Sequence, residues 1–367
     1  MTRPTGAKPG QFLHLRRPEK GEPVPPPLVQ ASMYHLPGSP EGFATYGRSD
    51  NPTWEAAEEA LSHLEAAPAV LFPSGMAAIS AAFFATLKAG ARVLIPSDGY
   101  YTTRVLAETF LSRFGVDFEL RPTRGFADGG FDGFDVVFIE TPSNPGLDLI
   151  DIRAVAEEVR RAGGVTIADN TTMTPFGQRP LDFGVDVVVA SDTKAPGGHS
   201  DLLMGHVACR DEALLARVRE WRKLSGAIPG PWEAWLLNRG LETLEVRFER
   251  MCATAEVIAA RLRDHAAVRA IRYPGLPEDA SHALAREQML RFGFLIQATL
   301  TDGERAERFI DGCELLEPAT SFGGVHSSAE RRIRWGDDVD PGAVRISIGC
   351  EPVEELWAAM KVSLDAL

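Results

Sequence analysis

Cysteine is scarce, with only Cys209, Cys252, Cys313 and Cys350 in 367 residues, and no two stand at C-x-x-C spacing. That argues against a disulfide framework and a thiolate zinc site, and a reducing cytosol is the expected setting. Clustered cations are missing too: 38 Lys and Arg face 51 Asp and Glu, for a net charge of −13. Phosphate backbones need grouped cations, so a nucleic-acid partner is not expected. No apolar run approaches the ~18 residues of a membrane-spanning helix. The opening stretch MTRPTGAKPGQFLHLRRPEKGEPVPPP is polar, proline-rich and without an apolar centre, so it does not read as a secretory signal. There is no G-x-G-x-x-G, no G-x-x-x-x-G-K-[ST] and no H-E-x-x-H, and the eight histidines are dispersed. No bound metal is expected.

What is present is ordinary globular material, 44% hydrophobic and 24% charged, in a chain long enough for two domains. Residues 1–50 are rich in Pro and Gly and poor in apolar clusters, so they read as an arm that leans on another surface. From residue 51 the pattern is periodic. Trp54, Ala57, Leu61 and Leu64 mark a helix over 53–66, AVLF (69–72) a strand, and 76–90 a helix ending at Gly90. Strands are then expected at 91–96, 116–121, 135–140, 165–169 and 185–191, with helices at 104–115 and 151–164. Short apolar strands alternating with helices imply a mostly parallel sheet covered on both faces. Beyond residue 235 come a long helical pattern (235–265), strands at 294–300 and 343–349, and a terminal helix. The expected division is an arm (1–50), a large α/β domain (51–235) and a smaller α+β domain (236–367).

In open α/β sheets, ligands sit beyond the carboxyl ends of the strands. Here AVLF runs into Ser74-Gly75-Met76, which is either a plain helix cap or an anion site at a helix N-terminus. One strand ends in Glu140 and continues Thr141-Pro142-Ser143-Asn144. Another ends in Asp169, which is either a local salt-bridge or N-cap residue or a counter-ion for a protonated ring nitrogen. A third ends Ser191-Asp192-Thr193-Lys194, where the lysine is either a surface residue or a Schiff-base amine. An anion cradle, a carboxylate, hydroxyls and an imine-forming amine together match the needs of pyridoxal 5'-phosphate.

The chain resembles the Cys/Met-metabolism enzymes that use this cofactor, the group of cystathionine γ-lyase, cystathionine γ-synthase and methionine γ-lyase. The resemblance runs from about residue 24 to the C-terminus. It is carried by YGRSDNPT (46–53), PSGMAA (73–78), DGYYTT (98–103), ETPSNP (140–145), ADNTTMTP (168–175), SDTKAPGGHSD (191–201), NRGLETLEVR (238–247), TSFGG (320–324) and VRISIGCE (344–351). It implies fold type I, the aspartate-aminotransferase-like fold, and a homotetramer of two catalytic dimers.

The resemblance further implies that Lys194 carries the cofactor and shuttles protons, Asp169 pairs with its ring nitrogen, and Tyr100 stacks on the ring, with Tyr101 the alternative. Gly75, Met76, Ser191 and Thr193 would hold the phosphate, and Tyr46 and Arg48 would reach the phosphate of the adjacent subunit. Asn144 would lie near the cofactor's phenolate and the substrate carboxylate. Arg345 would fork onto that carboxylate, with Ser321, Thr320 and Thr45 on the substrate side. The implied reaction is cleavage of a γ (or β) carbon–sulfur bond of cystathionine or a related amino acid, or else γ-replacement on an activated homoserine.

Some positions depart from the family pattern. Cystathionine-cleaving members typically carry glutamates where this chain has Thr45 and Thr320. The Y-G-G-T segment is Tyr100-Tyr101-Thr102-Thr103, and Trp54 replaces the usual arginine. Two lost carboxylates weaken recognition of a distal ammonium, which favours a smaller or less polar substituent.

Overall fold

The computed structural model describes residues 12–367. Seven strands form the main sheet: β1 (Ala69–Phe72), β2 (Arg92–Pro96), β3 (Asp117–Arg121), β4 (Val136–Glu140), β5 (Val165–Asp169), β6 (Val187–Ser191) and β7 (Gly205–Cys209), in the order β1-β7-β6-β5-β4-β2-β3. Pairings from β6 through β3 are parallel, while β7 runs antiparallel to both β1 and β6. β4 and β7 are buried at every position, as strands covered on two faces must be.

Helix Gly75–Thr86 is almost wholly apolar because it lies between the sheet and helix Glu212–Ser225. On the opposite face, helix Ile152–Arg161 buries Ile152, Val155, Ala156 and Val159 at helical spacing and exposes its charges. A second, wholly antiparallel sheet contains β8 (Ala270–Arg272), β9 (Leu295–Thr299), β10 (Ser328–Glu330) and β11 (Ala343–Ser347), ordered β10-β11-β9-β8. Helices Leu244–Arg263, Gly303–Gly312 and Val353–Asp365 cover it around a core of its own.

Several expected boundaries shift. The helix expected over 76–90 ends at Thr86, where Leu87 turns extended, and Gly90 serves a later turn at positive φ. The helix expected over 104–115 runs Tyr101–Thr109 and then tightens to a 3₁₀ turn closed by Gly115 in the left-handed region. The pattern over 235–265 is two helices, Pro231–Leu241 and Leu244–Arg263, so the expected domain boundary at 235/236 falls inside a helix. The break is filled by buried Arg247, which donates to Gly240 O at 2.7 Å, Thr243 Oγ1 at 3.0 Å and Ala195 O at 2.7 Å. Those bonds tie the helix junction to the turn after Lys194. Strand β7 and helix Glu212–Ser225 were not anticipated.

Candidate active site

The carboxyl ends of β4, β5 and β6 open into one cavity of about 370 Å³, closed on its other side by residues 320–322, Arg332, Trp335 and Arg345. That volume suits a cofactor or small ligand. At one end Ser74 caps helix Gly75–Thr86, its hydroxyl accepting from Ala77 N at 3.1 Å. The first amides, those of Gly75 and Met76, have no acceptor within the helix and point an anion-binding dipole end at the cavity. Backbones crowd here: a Cβ on Gly75 would lie 2.7 Å from Ser191 Cβ, and one on Gly205 would lie 2.6 Å from Ser74 O. Ser191 and Thr193 border this end. The Thr193 hydroxyl is engaged with Met204, accepting from its N at 3.1 Å.

Asp169 ends β5, buried, with Thr171 N donating to Oδ1 at 2.9 Å. Burial raises its pKa, opposed by the Thr171 hydrogen bonds and the nearby Lys194 amine. Glu140 is its cross-strand neighbour on β4. Burial, then the Asp169 charge, push Glu140 up to about 8. Its oxygens accept from Tyr100 N at 2.6 Å and Asn144 N at 2.9 Å, so Glu140 fixes the starts of two cavity-lining segments. Tyr100 and Tyr101 both border the cavity, ring centroids 5.5 Å apart and edge-on.

Lys194 Nζ donates to Ser321 Oγ at 2.7 Å and lies 5.1 Å from the Phe322 ring centroid. Burial first, then Arg345, lower its pKa to about 8. Arg345 projects from β11, buried, with Nη1 donating to Asn144 Oδ1 at 2.7 Å and Nη2 to Ser321 O at 2.8 Å. Burial brings its pKa down to about 10, with Glu330 opposing.

Gly75, Met76, Tyr100, Asn144, Asp169, Ser191, Thr193, Lys194, Thr320, Ser321 and Arg345 thus share one cavity. Thr45, Tyr46 and Arg48 do not border it: Thr45 donates to Asp50 at 3.1 Å, and Arg48 donates to Lys223 O at 3.0 Å with its guanidinium near the half-exposed Tyr46 ring. Sequence reasoning gave no role to Glu140, Arg332 or Trp335. Glu140 had a signal, since it ends a buried strand one register across from Asp169. Arg332 and Trp335 had none, because they sit on a 3₁₀ turn, Arg332–Trp335, without motif or periodicity.

The cavity fits pyridoxal 5'-phosphate on its own chemistry. It has helix N-terminal amides where a phosphate would sit, the buried carboxylate of Asp169, an amine with a lowered pKa, and the partnerless buried hydroxyl of Thr172. Among the described residues no group of His, Cys, Asp and Glu could hold a metal, and no helix is long and apolar enough to cross a membrane. The sequence model of the Cys/Met metabolism PLP-dependent enzymes matches residues 13–365.

The chain belongs to that family. Its cofactor is therefore pyridoxal 5'-phosphate. A Streptomyces coelicolor protein named "Putative cystathionine gamma-lyase" is 47% identical, over 96% of this chain and 91% of that one. The cystathionine gamma-lyase of Bacillus subtilis is 34% identical, over 92% and 93%. The crystal structure of cystathionine gamma synthase from Xanthomonas oryzae pv. oryzae in complex with cystathionine superposes with a TM-score of 0.93 at 33% identity, covering 99% of this enzyme and 98% of that chain.

Proposed function

We propose that the enzyme is a carbon–sulfur lyase that cleaves the γ (or β) carbon–sulfur bond of a sulfur amino acid of the cystathionine type, releasing a 2-oxo acid, ammonia and a thiol. The observation that carries this reading is that Lys194, Asp169 and Arg345 converge on one cavity. Lys194 would hold the cofactor and Asp169 its ring nitrogen, while the amides of Gly75 and Met76 with Ser191 would hold its phosphate. When bound, the cofactor supplies an electron sink for the negative charge that develops at the substrate's α-carbon.

The chain's own residues do the rest. Arg345, braced by Asn144, presents a fork to the substrate carboxylate. With its pKa near 8, Lys194 Nζ can both take and return a proton near neutral pH, and Ser321 Oγ at 2.7 Å holds it in line. Glu140 keeps Tyr100 and Asn144 in place from behind. Phe322 packs beside both cations, its ring centroid 5.1 Å from Lys194 Nζ and 5.2 Å from the Arg345 guanidinium.

Tyr100, Tyr101, Leu203 and Trp335 also line the cavity and would face the substituent. That wall, together with Thr45 and Thr320, supports an alkyl or otherwise weakly polar thioether over cystathionine itself. The exposed Tyr46 and Arg48 support an assembly in which the arm serves an adjacent subunit, within a homotetramer. Four unpaired cysteines, three of them buried, support a cytoplasmic location.

The test is a product-identified panel of cystathionine, homocysteine, methionine and O-acyl-homoserines, each with and without added thiol. Release of 2-oxo acid from thioethers independent of added thiol is the expected result. Faster thioether formation than oxo-acid release would instead establish the γ-replacement reaction.

A further inference from the structure

Behind the cavity's inner wall sits Glu330, buried at the end of β10 and directly opposite Arg345 on β11. Its Oε1 accepts from Arg345 Nη2, from Arg332 Nη1 at 3.1 Å and from Thr320 Oγ1 at 3.3 Å. Its Oε2 accepts from Trp335 Nε1 at 2.9 Å. All four donors border the cavity, whereas Glu330 does not. One carboxylate therefore holds both Arg345 and the Trp335 indole at the cavity wall.

The two arginines depend on it unequally. Arg332 keeps a second anion, since its Nε donates to Asp337 at 2.7 Å. The other partners of Arg345 are the neutral Asn144 and Ser321 oxygens, and among the described residues Glu330 is its one carboxylate. A buried guanidinium deprived of its anion must turn toward whatever oxygen remains. Bidentate recognition depends on the angle of the fork, so that turn weakens substrate binding even though a competing negative charge has gone.

We propose that Glu330 is a positioning residue that sets two properties of the site at once: affinity for the α-carboxylate, through Arg345, and selectivity among substituents, through Trp335. The proposal rests on the reading of Arg345 as the carboxylate site. It assigns to residues 330–335 a role in choosing an aromatic-compatible, uncharged thioether substituent.

The experiment is calorimetric binding of L-alanine, which has no leaving group, and of L-alaninamide, which lacks the carboxylate, to the holoenzyme. Glu330→Gln is expected to weaken L-alanine about tenfold and to leave L-alaninamide within about twofold. Equal weakening of both ligands overturns the proposal, because a merely structural role moves both, and unchanged or tighter L-alanine binding overturns it as well. Arg345→Lys separates the two levels. If it too spares the preference for L-alanine over the amide, the carboxylate-site reading fails and the proposal with it. If only Glu330→Gln spares that preference, the proposal alone fails.

Should Glu330→Gln not fold, Trp335→Phe decides, since it keeps a ring and removes the Nε1 donor. It is expected to leave L-alanine affinity within about twofold and to reduce at least fivefold the kcat/KM ratio between S-butyl- and S-methyl-homocysteine. An unchanged ratio overturns the proposal.

Discussion

Glu140 and Asp169 stand directly opposite one another at the carboxyl ends of adjacent parallel strands, and both carboxyl groups face the cavity. Two carboxylates this close and this buried do not ionise independently. Glu140 is the one pushed to about 8, while Asp169, steadied by Thr171 and Lys194, is the better placed to stay charged for a ring cation.

A pH dependence of stability follows. Glu140 ionises near 4.5 when unfolded and about 8 when folded, so between those values the folded chain holds the extra proton. Stability must then fall as pH rises through that window. Thermal unfolding of the wild type is expected to shift downward from about pH 5 to about pH 8 more steeply than that of Glu140→Gln, which cannot titrate. Parallel curves would sink the assignment.

Lys194 behaves in the opposite sense. Its pKa drops from 10.5 to about 8, so a sizeable share of the amine is neutral just above neutrality. In the cofactor-free protein, acylation of Lys194 followed by peptide mass spectrometry is expected to rise with a midpoint about 8, against ~10.4 for an ordinary lysine. In the holoenzyme, Lys194→Ala is expected to abolish turnover without loss of fold. Retained turnover would remove the lysine from the chemistry.

Below the cavity, His206 is buried between two carboxylates, with Nδ1 2.9 Å from both Asp192 oxygens and Nε2 3.2 Å from Glu65 Oε1. Those partners overcome desolvation and raise its pKa to about 10, so the imidazolium persists at neutral pH. Its stabilisation is complete below about 6.5 and disappears as pH climbs through about 10. Removing one member of a buried ionic cluster costs ~3–5 kcal/mol. Urea unfolding of His206→Ala should show a loss of that order at pH 7, shrinking toward about pH 10. A variant as stable as wild type would mean the cluster is neutral.

The central sheet was legible because its strands are short apolar runs separated by turn residues, and because their ends carry Asp169, Lys194 and the Ser74-Gly75 cap in plain order. Strand β7 was not. GHVAC has a histidine at its centre, and only the buried Asp192 and Glu65 beside His206 let that residue occupy a strand interior. The break between Leu241 and Leu244 was hidden for a related reason. Leu244, Phe248 and Met251 continue the apolar rhythm, while Arg247 bonds Gly240 O across the break and Ala195 O on the distant turn after Lys194. Of the site, residues inside motif blocks could be named from the sequence, and eleven of the fourteen share the cavity. Arg332, Trp335 and Glu330 could not, because their meaning lies in β10 pairing with β11 rather than in any spacing along the chain.

The cavity has one wall from each sheet. Cofactor-facing groups follow β4, β5 and β6, while Arg345 and its carboxylate partner Glu330 belong to β11 and β10, which pack on a separate core. A lineage can therefore retool what is accepted by editing the smaller sheet, and leave the bond-breaking apparatus undisturbed. Such modularity gives a physical route by which kindred chains of one shape come to bear differing activity names.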